Sequence, residues 1–312
     1  MNRSIFNWLI QTWLALLLLL VSIPILADSS NALVETVNGA PMSDFYVLRD
    51  GKKLDVVPMK PLYEGDQLHI LKPENNLLKD KQNYVTLVFG DKQLEKVTFE
   101  NSPYLVTKRE TVLTIPADVG QVINSWFNPL YQQHLEAVTT IPKKSEKKPF
   151  SIPQLTKSKM QLVTAGERSL HLAWQGGKAP YWVQVFSEHN TKEAFLIEHQ
   201  VHTKHVQFEK RVFIPGYYRA IIISVDGSWR KTQADFKVVN NLPISLQKME
   251  TEMQASPLPE LAKKTLFAAW LAQQEQGKWQ FEAYQLAASI AKDYQPALLV
   301  TEGLEKTLEK TE

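Results

Sequence analysis

Pro180-Tyr181-Trp182-Val183-Gln184-Val185-Phe186-Ser187 is the stretch on which the reading of the fold turns. Tyr181, Val183 and Val185 alternate with Trp182, Gln184 and Phe186, a period of two that sends successive side chains to opposite faces of a strand. Such a strand belongs in a sandwich. Working outward, Ser169 to Trp174, Glu193 to His199, His205 to Phe208, Tyr217 to Val225 and Ser228 to Val239 read as further strands. Gly176-Gly177 and Asp226-Gly227 are the clearest turns among them. Residues 157–240 are therefore expected to form one β domain.

On the C-terminal side the apolar period changes from two to 3.6. Ser256 suits a helix cap and Pro257 a first helical turn, opening a helix to about Gln276 that ends at Gly277. A second helix is expected from Lys278 to Tyr294, with Trp279, Ala283, Leu286, Ala287, Ile290 and Tyr294 on one side. Pro296 opens a third, carrying Leu299 and Leu308. The helical segment is thus placed at 256–309.

The N-terminal side is again β, over residues 33–117. Phe45-Tyr46-Val47-Leu48 and Leu54-Asp55-Val56-Val57 flank Asp50-Gly51, a hairpin signal because these residues tolerate positive φ. Gly65-Asp66 turns into the strand that ends at Ile70, and Gly90-Asp91 joins Tyr84–Phe89 to Leu94–Phe99. Between the two β parts, at 118–156, Val119, Val122, Ile123, Trp126 and Phe127 fall at helical spacing. This is a short amphipathic helix that packs on its own domain or presents a patch to a membrane or partner, and Pro129 ends or kinks it. The run Ile141-Pro142-Lys143-Lys144-Ser145-Glu146-Lys147-Lys148-Pro149 reads as an exposed charged linker. The fold class that follows is mainly β with a C-terminal α segment: two small β-sandwich or roll domains plus a helical hairpin.

Three resemblances accompany this reading. The arginine-bearing strand Val47-Leu48-Arg49-Asp50-Gly51, the Leu-x-x-Gly-Asp-x-Leu phrase from Leu62 to Leu68 and the phrase from Tyr84 to Asp91 resemble the periplasmic domain of the FecR-type family. That resemblance implies a ligand-sensing or protein-docking β domain. Members of that family that control sigma factors carry a cytoplasmic domain before their membrane helix. Only Met1 to Asn7 precede Trp8, so this chain is not expected to reach a sigma factor unaided. Leu172-Ala173-Trp174, Trp174 to Tyr181 and Pro215-Gly216-Tyr217-Tyr218 are similar to immunoglobulin or fibronectin type III modules without the disulfide. The alternation of alanine and large apolar residues around Gly277, Ala291 and Pro296 looks like one degenerate tetratricopeptide helix pair with a capping helix, which implies packing on the sandwich or on a partner.

Export is the other expectation. Arg3 precedes the apolar run Trp13–Leu26, and Ala27-Asp28-Ser29-Ser30-Asn31-Ala32 follows it, the layout of a secretory signal cut after Ala27 or after Ala32. Counted from Trp8, about 20 residues are available, enough to span a bilayer. Residues 1–27 are accordingly a signal peptide or an anchor, and the body lies in the periplasm or faces it. The chain has 0 Cys, which removes disulfides, thiolate chemistry and the acylated cysteine of a lipoprotein. A net charge of +2 with both signs interspersed argues against a nucleic-acid partner.

No motif specifies a reaction, so no catalytic residue and no cofactor is assigned. The expected role is an exported envelope protein that binds or scaffolds through protein–protein recognition. Carbohydrate or peptidoglycan binding on aromatic platforms is the alternative, and a metal-dependent hydrolase a third possibility. For the first, Tyr181 and Trp182 on the sandwich and Trp270, Trp279 and Tyr284 on the helices are candidate contacts, although such side chains are more often core than contact. For the third, His199, His202 and His205, with His189 and Glu198 near, are the candidate metal ligands. On a strand, positions three apart point to opposite faces, so convergence needs a turn at Thr203-Lys204.

Overall fold

The computed structural model describes residues 28–39, 42–72, 83–127, 129–132, 134, 149–155, 159–225 and 230–306. The apolar run Trp13–Leu26, most of the charged linker and the Asp226-Gly227 turn lie outside these residues. The chain is mainly β with a C-terminal helical segment. Among the described residues no helix is long and apolar enough to cross a membrane.

The first β part contains two four-stranded antiparallel sheets. One is ordered Pro61–Leu62, Ala32–Asn38, Tyr84–Phe89, Leu94–Thr98, and the other Lys52–Asp55, Phe45–Arg49, Gln67–Ile70, Tyr104–Leu105. A further pair joins Asp28–Ser30 to Leu113–Ile115. Asp50 (φ 49°) and Gly51 (φ 73°) form a two-residue turn with positive φ at both positions, the twist that suits a hairpin. That turn sets Arg49 opposite Lys52, so the returning strand is Lys52–Asp55, and Val56 and Val57 are buried beyond it. Arg49 and the Asp66 that follows Gly65 meet across this sheet. Arg49 Nε and Nη2 donate to the two Asp66 carboxylate oxygens (2.8 and 2.7 Å), Tyr63 N–H donates to Asp66 (2.9 Å), and the guanidinium lies 4.4 Å from the Tyr63 ring.

Ala117–Val122 (α1) begins as a regular helix and widens over Ile123–Phe127 before Pro129, whose ring and missing N–H oppose a regular turn there. Val119, Val122, Ile123 and Phe127 are buried. The amphipathic helix therefore spends its apolar face inside the molecule rather than on a membrane or partner.

In the second β part, Tyr181–Ser187 lies inside a five-stranded sheet. The order is Gln161–Thr164, Lys231–Val239, Gly216–Ser224, Tyr181–Ser187, Leu196–Val201, antiparallel except for the first pair. Two short pairs complete it: Gly166–Arg168 with Arg211–Phe213, and His171–Ala173 with His205–Gln207. The inward positions Tyr181, Val183, Val185, Tyr218, Ala220 and Ile222 are all buried. Ring contacts run Phe195–Phe213 (5.1 Å), Phe213–Tyr218 (5.5 Å) and Tyr218–Phe236 (5.4 Å), then into the helices through Phe236–Phe281 (5.1 Å).

The helical segment holds Ile244–Ala255 (α2), Glu260–Leu271 (α3), Gln280–Ala288 (α4) and Gln295–Lys306 (α5). The sequence does not announce α2, because only Leu246, Met249 and Met253 mark its buried side. Its presence changes the role expected of Ser256. The residue ends α2, with Oγ donating to Met253 O (2.7 Å), while α3 starts behind Pro259.

These helices seat on both β parts through side chains that act as substitute β partners. Gln285 of α4 accepts from His171 N–H and donates to His171 C=O, both at 2.8 Å. Gln295 of α5 does the same for Val37 (3.2 Å each way). Gln161 of the sandwich reciprocates, donating to Gly277 C=O (3.2 Å) and accepting from Phe281 N–H (3.2 Å). Beside them Arg168 Nη1 donates to Glu282 (2.7 and 3.0 Å), which also accepts from Thr164. The buried apolar residues of all these parts form one hydrophobic cluster.

Candidate functional site

An antiparallel sheet packed on one face normally shows polar side chains on the other. The five-stranded sheet does not. In Gly216–Ser224 the outward positions are Tyr217, Arg219, Ile221 and Ile223, so three of the four are apolar or aromatic. Cross-strand pairing sets Trp182 opposite Ile223, Gln184 opposite Ile221 and Ile197, and Phe186 opposite Arg219. Tyr217 and Ile197 are 47% and 45% exposed, and Met160 nearby is 43% exposed. The outer face therefore carries a band of large apolar groups, exposed at Tyr217 and Ile197 and half-buried at Trp182, Phe186, Ile221 and Ile223, with Gln184 and the polar Arg219 among them.

At its Ser187 end the band opens into a groove of about 660 Å³, lined by Met160, Phe186, Glu188, Tyr217, Arg219, Ile221 and Asp235 among others. Arg219 and Asp235, opposite each other on neighbouring strands, form a bidentate pair (2.6 and 2.9 Å). Hydrogen bonding to that carboxylate, and then its charge, raise the Arg219 pKa. The Lys237 ammonium lies 5.1 Å from the centre of the Tyr217 ring. Gly216 (φ +151°) has no Cβ, and one built there would collide with the Glu188 carboxylate and the His189 ring; a side chain at 216 would displace both.

Of the five aromatic contact candidates, only Trp182 reaches this face, where its ring meets His199 edge-on at 5.3 Å. Tyr181, Trp270, Trp279 and Tyr284 are buried. Tyr181 packs edge-on against Trp174 (5.1 Å), and Tyr284 donates to Glu305 (3.0 Å), whose carboxyl is pushed up by burial. These four build the core instead of a contact surface. Large flat rings with one polar atom satisfy both roles, and sequence alone does not separate them.

The histidines do not converge. His199 lies on the Leu196–Val201 strand of the large sheet, His205 pairs with Ala173 in a different pair of strands, and His202 is exposed between them. His189 contacts Pro215 C=O (3.1 Å). Among the described residues no three His, Cys, Asp or Glu side chains are grouped so as to hold a metal ion.

Phe186, Glu188, Tyr217, Arg219, Ile221 and Asp235 were not singled out by sequence reasoning. The available signal was Gly216-Tyr217-Tyr218-Arg219-Ala220-Ile221-Ile222-Ile223, which is apolar in both phases of the alternation.

No protein-family model matches this chain, and no curated protein matches it. Among solved structures it is similar to the β-1,2-glucanase from Parabacteroides distasonis, with 11% identity and a TM-score of 0.21. The match covers 86% of this chain and 40% of that one. A superposition that loose carries no argument about activity.

Proposed function

We propose that this chain is an exported, non-catalytic binding protein of a Gram-negative envelope, and that it recognises a partner protein through the outer face of the five-stranded sheet. The observation that carries the reading is the solvent-facing row Tyr217, Ile221 and Ile223 with Trp182 and Ile197, on a sheet whose other face is already core. Contiguous exposed apolar surface with a polar rim marks an interaction site. Export is supported by the signal-like layout of residues 1–27. The strand Asp28–Ser30 belongs to the folded β part, so a cut after Ala27 leaves that part whole, whereas a cut after Ala32 removes a strand. The helical segment supports the face indirectly: its aromatic candidates Trp270, Trp279 and Tyr284 are buried, which leaves the sheet face as the surface that carries large apolar groups.

The test is site-specific photocrosslinking in intact cells. A photoreactive residue at Ile197 is expected to give a discrete adduct with an envelope protein, lost in an Ile221→Glu variant that still folds. The same group at the exposed Glu209, off this face, is expected to give none. Absence of any adduct from Ile197, or equal adducts from both positions, refutes the reading.

A further inference from the structure

The groove at the Ser187 end of the face narrows the chemistry of what binds there; this step rests on the binding reading above. Its volume, about 660 Å³, lies within the roughly 300–1,000 Å³ usual for clefts that enclose a ligand group. Its apolar lining, Met160, Phe186, Tyr217 and Ile221, calls for a large apolar occupant. The charges call for something more specific. Arg219 is neutralised by Asp235. Glu188 is not: its backbone N–H bonds Tyr217 C=O (2.9 Å), but among the described residues no cation forms an ion pair with its carboxylate. The absent Cβ of Gly216 leaves that carboxylate room against the strand. Tyr217, which follows Gly216 and also lines the groove, already carries one ammonium on its ring, that of Lys237.

We infer that the groove takes a polypeptide segment presenting a cationic side chain next to a large apolar one, such as an Arg-Phe or Lys-Leu pair. The apolar group fills the lining, and the cation meets Glu188 and the Tyr217 ring, a combination that an aromatic face and a carboxylate stabilise together. A neutral saccharide would cover Glu188 without supplying a counter-charge, which penalises its burial. An acidic segment would add repulsion.

Fluorescence anisotropy with the purified full-length chain tests this. The labelled probes are Gly-Gly-Arg-Phe-Gly-Gly, its Glu-Phe and Arg-Ala counterparts, and soluble peptidoglycan fragments as competitors. The Arg-Phe probe is expected to bind about fivefold or more tighter than the Glu-Phe probe, a preference that shrinks with added salt. Glu188→Gln is expected to bring that ratio below about twofold, and Lys237→Gln to raise affinity for the Arg-Phe probe, because a competing ammonium is gone. Tyr217→Ala is expected to weaken Arg-Phe binding tenfold or more, as loss of a central aromatic anchor does. Thermal melts of the three variants, altered at the exposed Glu188 and Tyr217 and the half-buried Lys237, establish that they are folded. Equal binding of basic and acidic probes, or a preference unchanged by Glu188→Gln, overturns the assignment. Binding of peptidoglycan fragments in place of every peptide also overturns it, in favour of a saccharide site. If no probe binds while Ile197 still crosslinks a partner, the groove assignment fails and the binding face stands; if both fail, both fall.

Discussion

Replacing Gln285 by leucine removes the amide that completes the backbone of His171. Gln285 is 2% exposed, and both of its hydrogen bonds to His171 are 2.8 Å long. Leucine of similar size leaves His171 N–H and C=O buried with no partner at that position. Each orphaned buried polar group costs about 1–3 kcal/mol. The greater transfer free energy of an aliphatic side chain returns about 1 kcal/mol. The expected net loss is about 1–5 kcal/mol, which for a chain of this size lowers Tm by roughly 2–8 °C. Gln295→Leu makes the comparison: its two bonds to Val37 are 3.2 Å and only partly buried, so water replaces them in part and about 1 kcal/mol is expected. The assay is urea unfolding followed by tryptophan fluorescence, with the midpoint shift converted at constant slope. A Gln285→Leu variant within about 0.5 kcal/mol of the parent, or one less affected than Gln295→Leu, would refute the idea that helix glutamines serve as ladder partners for the β parts.

Trp279→Ala, at a fully buried ring, is expected to cost about 3–5 kcal/mol; a calorimetric melt close to that of the parent would return Trp279 to the list of contact residues. Asp66→Asn removes the charge that Arg49 grips in bidentate fashion while leaving the guanidinium half-buried; a loss of about 2–4 kcal/mol is expected by urea unfolding, and Arg49→Lys loses less because it keeps the charge. Burial, then the charges of Arg168 and Lys264, hold the His171 imidazole down to about 4. A depressed histidine leaves stability whole above the unfolded value near 6.5 and loses it as the pH falls towards 4. His171→Leu is therefore expected to narrow the difference between pH 7 and pH 5 by about 2 kcal/mol, and an unchanged difference would show that the ring titrates normally.

The sequence by itself determined the local order of this protein. The alternation in Tyr181–Ser187, the Asp50-Gly51 turn, the Gly65-Asp66 turn and the period change before the C-terminal helices are short-range patterns, and the corresponding strands and helices lie close to where these signals put them. Leu54–Val57 became Lys52–Asp55 because turn geometry, not hydropathy, sets a hairpin's register. α2 stayed hidden because three buried apolar residues in twelve are too faint a stripe to read without knowing what they pack on.

What only the tertiary structure decided is which aromatic side chains are inside, and therefore where the candidate site lies. Trp279, at the cap of α4, and Tyr217, on a strand of the large sheet, are both large aromatics. One is enclosed because helices seat on the sandwich through Gln285, Gln161 and the Arg168–Glu282 pair; the other is half-exposed because no described residue covers it on the outer face of the sheet. The pairing that sets Arg219 beside Asp235 spans 16 residues, and the bond between Gln285 and His171 spans 114. Periodicity reports which face of an element is apolar. It does not report which partner, if any, the rest of the chain brings to that face.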